Sequence, residues 1–267
     1  MIPPRSPEID VMMRAAEKGA ESLRADLARP ELLDVREKSP SDFVSNADLR
    51  SQEIIRAELA AAFPSHDLLL EEGDLRGVRS DRPRFLVDPL DGTSNYLVGI
   101  PHFAITIALE VGGEITAGVV LDVAKREVFL AARGGGAWLD GRRVRVSERR
   151  DLTKSIVGTG IPHHARGDHP RYLSALSGVM RDVAGIRRMG SAALDLAYVA
   201  AGRFDAFFER WLAPWDVAAG ALLVREAGGV VSDTAGGDAW LDAGDVLASS
   251  STSLHAAMLE RLAPLHR

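Results

Sequence analysis

Cysteine is absent from all 267 residues. This excludes disulfides, thiolate metal sites and a cysteine nucleophile, and it fits a reducing compartment. There is no run of 18 apolar residues and no basic-then-apolar opening segment, so neither a membrane span nor export is expected. Positive charge is in deficit, giving a formal net charge of −6. That argues against nucleic-acid binding as the main task. His163 and His164 are adjacent rather than a helical turn apart and no HExxH occurs, so a histidine zinc site is not expected. A Gly-x-Ser-x-Gly elbow is also missing, leaving a Ser/His/Asp triad without support. The Gly134–Gly136 run lacks the Lys-Ser/Thr and long helix of a phosphate loop. Neither an internal repeat nor a low-complexity tract occurs.

What is present suffices for a large core, at 46% hydrophobic residues. We expect one domain over 1–267, built from an N-terminal α+β half to about residue 150 and a C-terminal α/β half from 151. Helical spacing runs over 8–28, with Ile9, Met12, Met13, Ala16, Ala20, Leu23 and Leu27 on one side. A polar, turn-rich connection from Lys38 leads into a helix over 47–62 whose first turn holds Asp48. An Asp there compensates the helix dipole whatever else it does. A strand from Asp67 ends in the pair Glu71-Glu72, only one of which can face a site. The segment from Gly73 to Pro83 reads as a flexible connection. Antiparallel strands are expected over Phe103–Val111, Gly118–Val123 and Glu127–Ala131, then turns at 134–141 and a solvated basic face from Arg142 to Arg150. Strands at 155–159, 185–189, 204–208, 229–232 and 245–249 alternate with helices at 168–182, 192–201, 215–227 and from 252. This alternation predicts α/β layering.

The stretch Phe85-Leu-Val-Asp-Pro-Leu-Asp-Gly-Thr-Ser-Asn-Tyr96 organises the rest. Its apolar run reads as a buried strand ending at Asp88, followed by a Pro corner and an Asp91-Gly92 turn. Two carboxylates can then face one point. Thr93 stands where a helix N-cap would, with free N–H groups behind it. A second acidic corner lies at Pro214-Trp215-Asp216, where Asp216 opens an apolar helix. Glu71, Asp88, Asp91 and Asp216 together offer only oxygen ligands, which suits Mg²⁺ or Mn²⁺ better than zinc.

With these motifs the chain resembles the inositol monophosphatase family of Mg²⁺-dependent, lithium-sensitive phosphomonoesterases. The likeness extends over Asp42-Phe-Val-Ser-Asn-Ala-Asp48, Glu71-Glu72, the 88–96 motif, Gly185-Ile-Arg-Arg-Met-Gly-Ser-Ala-Ala193, Trp215-Asp-Val-Ala-Ala-Gly220 and Glu226-Ala-Gly-Gly229. The resemblance implies a layered αβαβα sandwich, a cytoplasmic homodimer and a small phosphorylated polyol as substrate. It implies that Glu71, Asp88 and the Leu90 carbonyl hold one Mg²⁺, and that Asp88, Asp91 and Asp216 hold a second. Glu71 and Thr93 would orient the attacking water, and Asp48 would hold an outer shell or a third ion. Backbone groups of Gly92 and Thr93 would receive phosphate, while Asp91, Ser191, Ala192 and Glu209 would border the polyol. Leu70 stands where the family usually has Gly, and Phe85 where it usually has Trp.

Two other phosphatase readings are considered. A haloacid-dehalogenase-type enzyme needs its acids two apart, whereas Asp88 and Asp91 are three apart. Relatives of the same fold act on 3′,5′-bisphosphate nucleotides, fructose 1,6-bisphosphate or histidinol phosphate, and Ser94-Asn95-Tyr96 resembles the inositol type more than these. A regulatory or binding role through the Arg142–Arg150 patch is the reading from a different class.

Overall fold

The computed structural model describes residues 3, 5–29, 31, 33–39, 42–73, 82–162 and 167–266. Most of the Gly73–Pro83 connection and the His163-His164 pair lie outside these residues. Helix α1 (Pro7–Leu27) starts at Ser6, whose hydroxyl accepts from the Ile9 N–H, and buries Ile9, Met12, Ala16, Ala20 and Leu23. Met13, one residue and about 100° round from Met12, is 37% exposed, so the expected Met pair is split between core and surface. Where a turn-rich connection is expected, β1 (Val35–Ser39) and β2 (Asp42–Ser45) pair as an antiparallel ladder. Val35, Phe43 and Val44 supply β-favouring side chains within an otherwise polar tract. Helix α2 (Asn46–Ala62) follows directly.

The larger sheet is a near-meander. Strands β3 (Asp67–Leu70) and β4 (Arg84–Asp91) pair in parallel. After the short helix α3 (Thr93–Leu97), β5 (Ala104–Val111), β6 (Glu114–Asp122), β7 (Glu127–Ala132), β8 (Gly136–Leu139) and β9 (Arg142–Val144) add antiparallel in sequence order. The turns expected at 134–141 therefore flank a strand, because Ala137 and Trp138 are buried against β7. Leu70, opposite Val87, keeps the β3 ladder intact.

In the second half, β10 (Ile156–Thr159), α4 (His169–Asp182), β11 (Gly185–Arg187), α5 (Ala192–Ala200), β12 (Ala206–Glu209), α6 (Pro214–Glu226), β13 (Val230–Ser232), α7 (Trp240–Ala243), β14 (Val246–Ser249) and α8 (Thr252–Leu262) follow one another. Their five strands lie in the order β11-β10-β12-β14-β13, parallel among the first three and antiparallel at β14.

Period-2 alternation sorts the side chains of β4 and β5 into two cores. Phe85, Val87, Ile105 and Ile107 pack with α1 and α2, while Leu86, Ala104 and Ala108 pack with α5 and α6. All nine residues of α5 are buried, as in a helix enclosed by protein on every side. The smaller sheet covers the far side of α5 and α6, and its own outer face packs Val157, Ala206, Phe208 and Leu247 on α4 and α8. The layers run helix, sheet, helix, sheet, helix, which is the αβαβα sandwich. Its middle layer brings the N-termini of α5 and α6 to the end of β4.

Candidate active site

Strand β4 does not stop at Asp88. Its pairing with β5 passes from Asp88 opposite Thr106 to Asp91 opposite Ala104, so Pro89 and Leu90 face Ile105 alone. This is a one-residue β-bulge, a position where Pro is tolerated because its missing N–H is not needed. Residues three apart on a regular strand point to opposite faces. The extra residue cancels that difference, and both carboxylates turn to the α5 and α6 side. Leu90 turns the other way into the α1 and α2 core.

Gly92, rather than Thr93, is the N-cap of α3, with φ of +92°. A Cβ there would lie 3.1 Å from the carbonyl oxygens of both Gly190 and His102. Freed from capping, the Thr93 hydroxyl lies 3.0 Å from the Leu90 carbonyl and 3.0 Å from Asp48 Oδ1. Asp48 is fully buried at the third position of α2, where its Oδ2 accepts from the Ser45 N–H and hydroxyl in a capping box. It therefore serves both as cap and as partner of Thr93.

The remaining acids arrive from separate elements. Glu71 extends β3, its N–H donating to the Val87 carbonyl at 3.1 Å. The Glu72 backbone is gripped on both sides by the Gln52 amide of α2. Asp91 Oδ2 accepts from the Ser191 hydroxyl at 2.6 Å and the Ala193 N–H at 2.8 Å, which seats it on the first turn of α5. Asp216 closes the first turn of α6, accepting from the Ala213 N–H at 2.8 Å. Ser191 and Ala192 are buried. Glu209 ends β12 with its carboxyl group against Gly160.

One rule recurs at the four aspartates. Backbone N–H groups of Ser45, Leu90, Ala193 and Ala213 each hold one oxygen of Asp48, Asp88, Asp91 and Asp216, respectively. The side chains are thereby oriented at one oxygen each.

Electrostatics show that the acids share one place. Burial pushes Asp88 well above the ordinary carboxylate value, and the charges of Glu71, Asp91 and Asp216, with a hydrogen bond to Glu71, push it further. Burial also raises Asp91 to about 6 despite the opposing bonds from Ser191 and Ala193. Asp216 is raised first by burial, then by Asp91 and Glu71. For Asp48, burial outweighs the bonds from Ser45 and Thr93. Among the described residues no three Asp, Glu or His side chains are already drawn into one metal cage. No Lys or Arg among them pairs with Asp88, Asp91 or Asp216. The donor set fits a hard divalent cation by its chemistry, since it offers anionic oxygens whose mutual repulsion a cation would relieve.

Reasoning from sequence overlooks four contributors. Asn95 Nδ2 lies 2.8 Å from the carbonyls of both His102 and Met189, joining the two halves behind Gly92. His102, Asp195 and Thr106 are buried close by. A lone His and a single Asp in the first turn of a helix carry no pattern that would reveal them.

This fold with this acidic junction defines a class. The inositol monophosphatase family model matches residues 5–266, and the chain belongs to that family. Inositol-1-monophosphatase of Rhizobium meliloti (strain 1021) is 52% identical over 243 residues, 91% of each chain. The Nus factor SuhB of Pseudomonas aeruginosa is 42% identical over 262 residues, 97% of this chain and 96% of that one. The crystal structure of extragenic suppressor protein suhB from Bartonella henselae superposes with a TM-score of 0.92 at 46% identity, covering 96% of this chain and 98% of that one.

Proposed function

We propose that this chain hydrolyses inositol monophosphate to inositol and phosphate, using divalent cations held at the junction of its two halves. The observation that carries this reading is the meeting of Asp88 and Asp91 from β4 with Asp216 from α6: beyond burial, the charges of Asp91 and Asp216 raise Asp88, and that of Asp91 raises Asp216. Glu71, Asp88 and the Leu90 carbonyl would hold one Mg²⁺, and Asp88, Asp91 and Asp216 a second. Mn²⁺ suits the same oxygens, and Asp48 serves an outer shell or a third ion. Bound cations neutralise phosphate charge and lower the pKa of a water. Glu71 and Thr93, the latter bonded to the Leu90 carbonyl and Asp48, would orient and help activate the attacking water. The water oxygen bonds to phosphorus as the ester P–O bond breaks, and the departing polyol oxygen takes a proton. Backbone N–H groups of Gly92 and Thr93 receive the phosphate, while Asp91, Ser191, Ala192 and Glu209 border the polyol. Lithium sensitivity, a homodimer and a cytoplasmic location belong to the same reading.

Phosphate release from inositol 1-phosphate, fructose 1,6-bisphosphate, 3′-phosphoadenosine 5′-phosphate and histidinol phosphate, with Mg²⁺ and then Li⁺, tests the substrate. Preference for inositol 1-phosphate is expected. Preference for another keeps the site and changes the substrate. A second reading, a binding role, is favoured by the name Nus factor carried by the Pseudomonas relative. The arginine patch offers it limited support. All five arginines are exposed, but Arg149 is paired with Asp205 and Arg150 with backbone carbonyls.

A further inference from the structure

Behind the acidic junction lies a second polar group that the reaction does not use. His102 is 3% exposed, Asp195 1% and Thr106 not at all. Both ring nitrogens of His102, Asp195 Oδ1 and Thr106 Oγ are buried without a hydrogen-bond partner, and His102 Nε2 lies 3.8 Å from Asp195 Oδ1. Polar atoms are rarely left so in a core, because each forfeits its hydration. Apolar side chains would fill the same space at less cost.

Their place in the chain supplies a reason for keeping them. Thr106 is the cross-strand partner of Asp88. His102 belongs to the segment after Gly92, where its carbonyl crowds Gly92 and accepts from Asn95. Asp195 lies in the first turn of α5, its N–H bonded to the Ser191 carbonyl. It stands directly behind the Ser191 hydroxyl and Ala193 N–H that hold Asp91. The 92–103 segment, which follows Asp91, and the 189–195 segment, which holds its Oδ2, are tied together by Asn95 and by Asp91 itself. His102 and Asp195 face each other across the same seam from within. We infer that His102 and Asp195 are positioning residues, an internal polar clasp that sets α5 against the 92–103 segment and so aims the free oxygen of Asp91. The inference rests on the proposed metal role of Asp91. Burial lowers His102 and raises Asp195, so the interior disfavours the charged form of each.

The test is Mg²⁺ affinity of the full chain by calorimetry, beside its thermal midpoint. Three proteins are compared: wild type, Asp195→Asn, and the double variant His102→Phe with Asp195→Leu. Replacing a buried polar pair by apolar side chains usually keeps stability or raises it. A clasp that merely filled space would therefore leave metal affinity unchanged in the double variant. A positioning clasp predicts Mg²⁺ binding weakened about 10-fold there, the usual scale for outer-shell partners, and weakened less in Asp195→Asn, which keeps a polar side chain of the same shape facing His102. Affinity within twofold of wild type in both overturns the inference. If the double variant does not fold, Asp195→Asn decides alone, an unchanged affinity counting against the clasp. Absence of Mg²⁺ binding by the wild type would instead overturn the metal reading.

Discussion

Asp88 is held from several sides. It is 2% exposed, anchored at one oxygen by the Leu90 N–H, and surrounded by three like charges. Asp88→Asn removes the charge those three repel without changing the side chain's shape. The metal-free variant is expected to melt at or above the wild-type temperature, while phosphate release falls at least about 10³-fold, the scale expected when cation binding is lost. Differential scanning calorimetry and a phosphate assay on one preparation check both. Gly92→Ala should act in the opposite way on stability. Its φ of +92° and the two carbonyls at 3.1 Å leave no strain-free position for a Cβ, so a loss of about 1–3 kcal/mol is expected by denaturant titration. Much at this scale was legible in the sequence. Asp-Pro-x-Asp-Gly-Thr and Trp-Asp are local patterns, and the residues they mark meet in space. His102, Asp195 and the joining role of Asn95 were not legible, because they arise from contacts 94 residues apart or from burial alone.

Among the elements, β4 shows what local reading misses. Its apolar run and Pro89 suggested an end at Asp88, yet pairing resumes at Asp91 because a bulge absorbs the proline. The bulge depends on the register with β5, which no local pattern records. The β1 and β2 ladder and α7 escaped for a related reason: short elements with polar or Gly-rich sequences are fixed by what they pack on. The basic stretch Arg142–Arg150 is exposed at all five arginines, as its sequence predicts, yet Arg149 Nε also contacts both oxygens of the fully buried Asp205 at 2.8 and 2.9 Å. Asp205 also accepts from the Ile156 N–H, pinning β10 to β12. Asp205→Ala strips three bonds from this seam and is expected to cost about 3 kcal/mol, seen as a lowered urea midpoint. Arg149→Gln should cost less, because the arginine is 43% exposed.

For the whole molecule, the alternation of helices and strands announced layering, whereas which helices form the middle layer follows from burial on both faces. That layer delivers Ser191 and Asp216 to β4, so the junction and the fold share one stability. Their pH dependence follows. Asp91 has its folded pKa raised from 3.8 to about 6, and Asp88 and Asp216 are raised as well. Above pH 3.8 the folded, metal-free chain therefore holds protons that the unfolded chain has released. Its unfolding free energy should fall as pH rises through about 6. Saturating Mg²⁺ binds the ionised carboxylates and should abolish or reverse that slope. Urea titrations from pH 4.5 to 7.5, with chelator or with Mg²⁺, check the sign.

The central claim is that carboxylates from both halves of the chain build one cation-dependent phosphatase site. Its most direct test is the Mg²⁺ dependence of phosphate release from inositol 1-phosphate by wild type, Asp88→Asn and Asp216→Asn. The account predicts saturable activation by Mg²⁺ in the wild type and loss of most turnover in both variants. Turnover that ignores Mg²⁺, or an Asp216→Asn enzyme as active as the wild type, would contradict it.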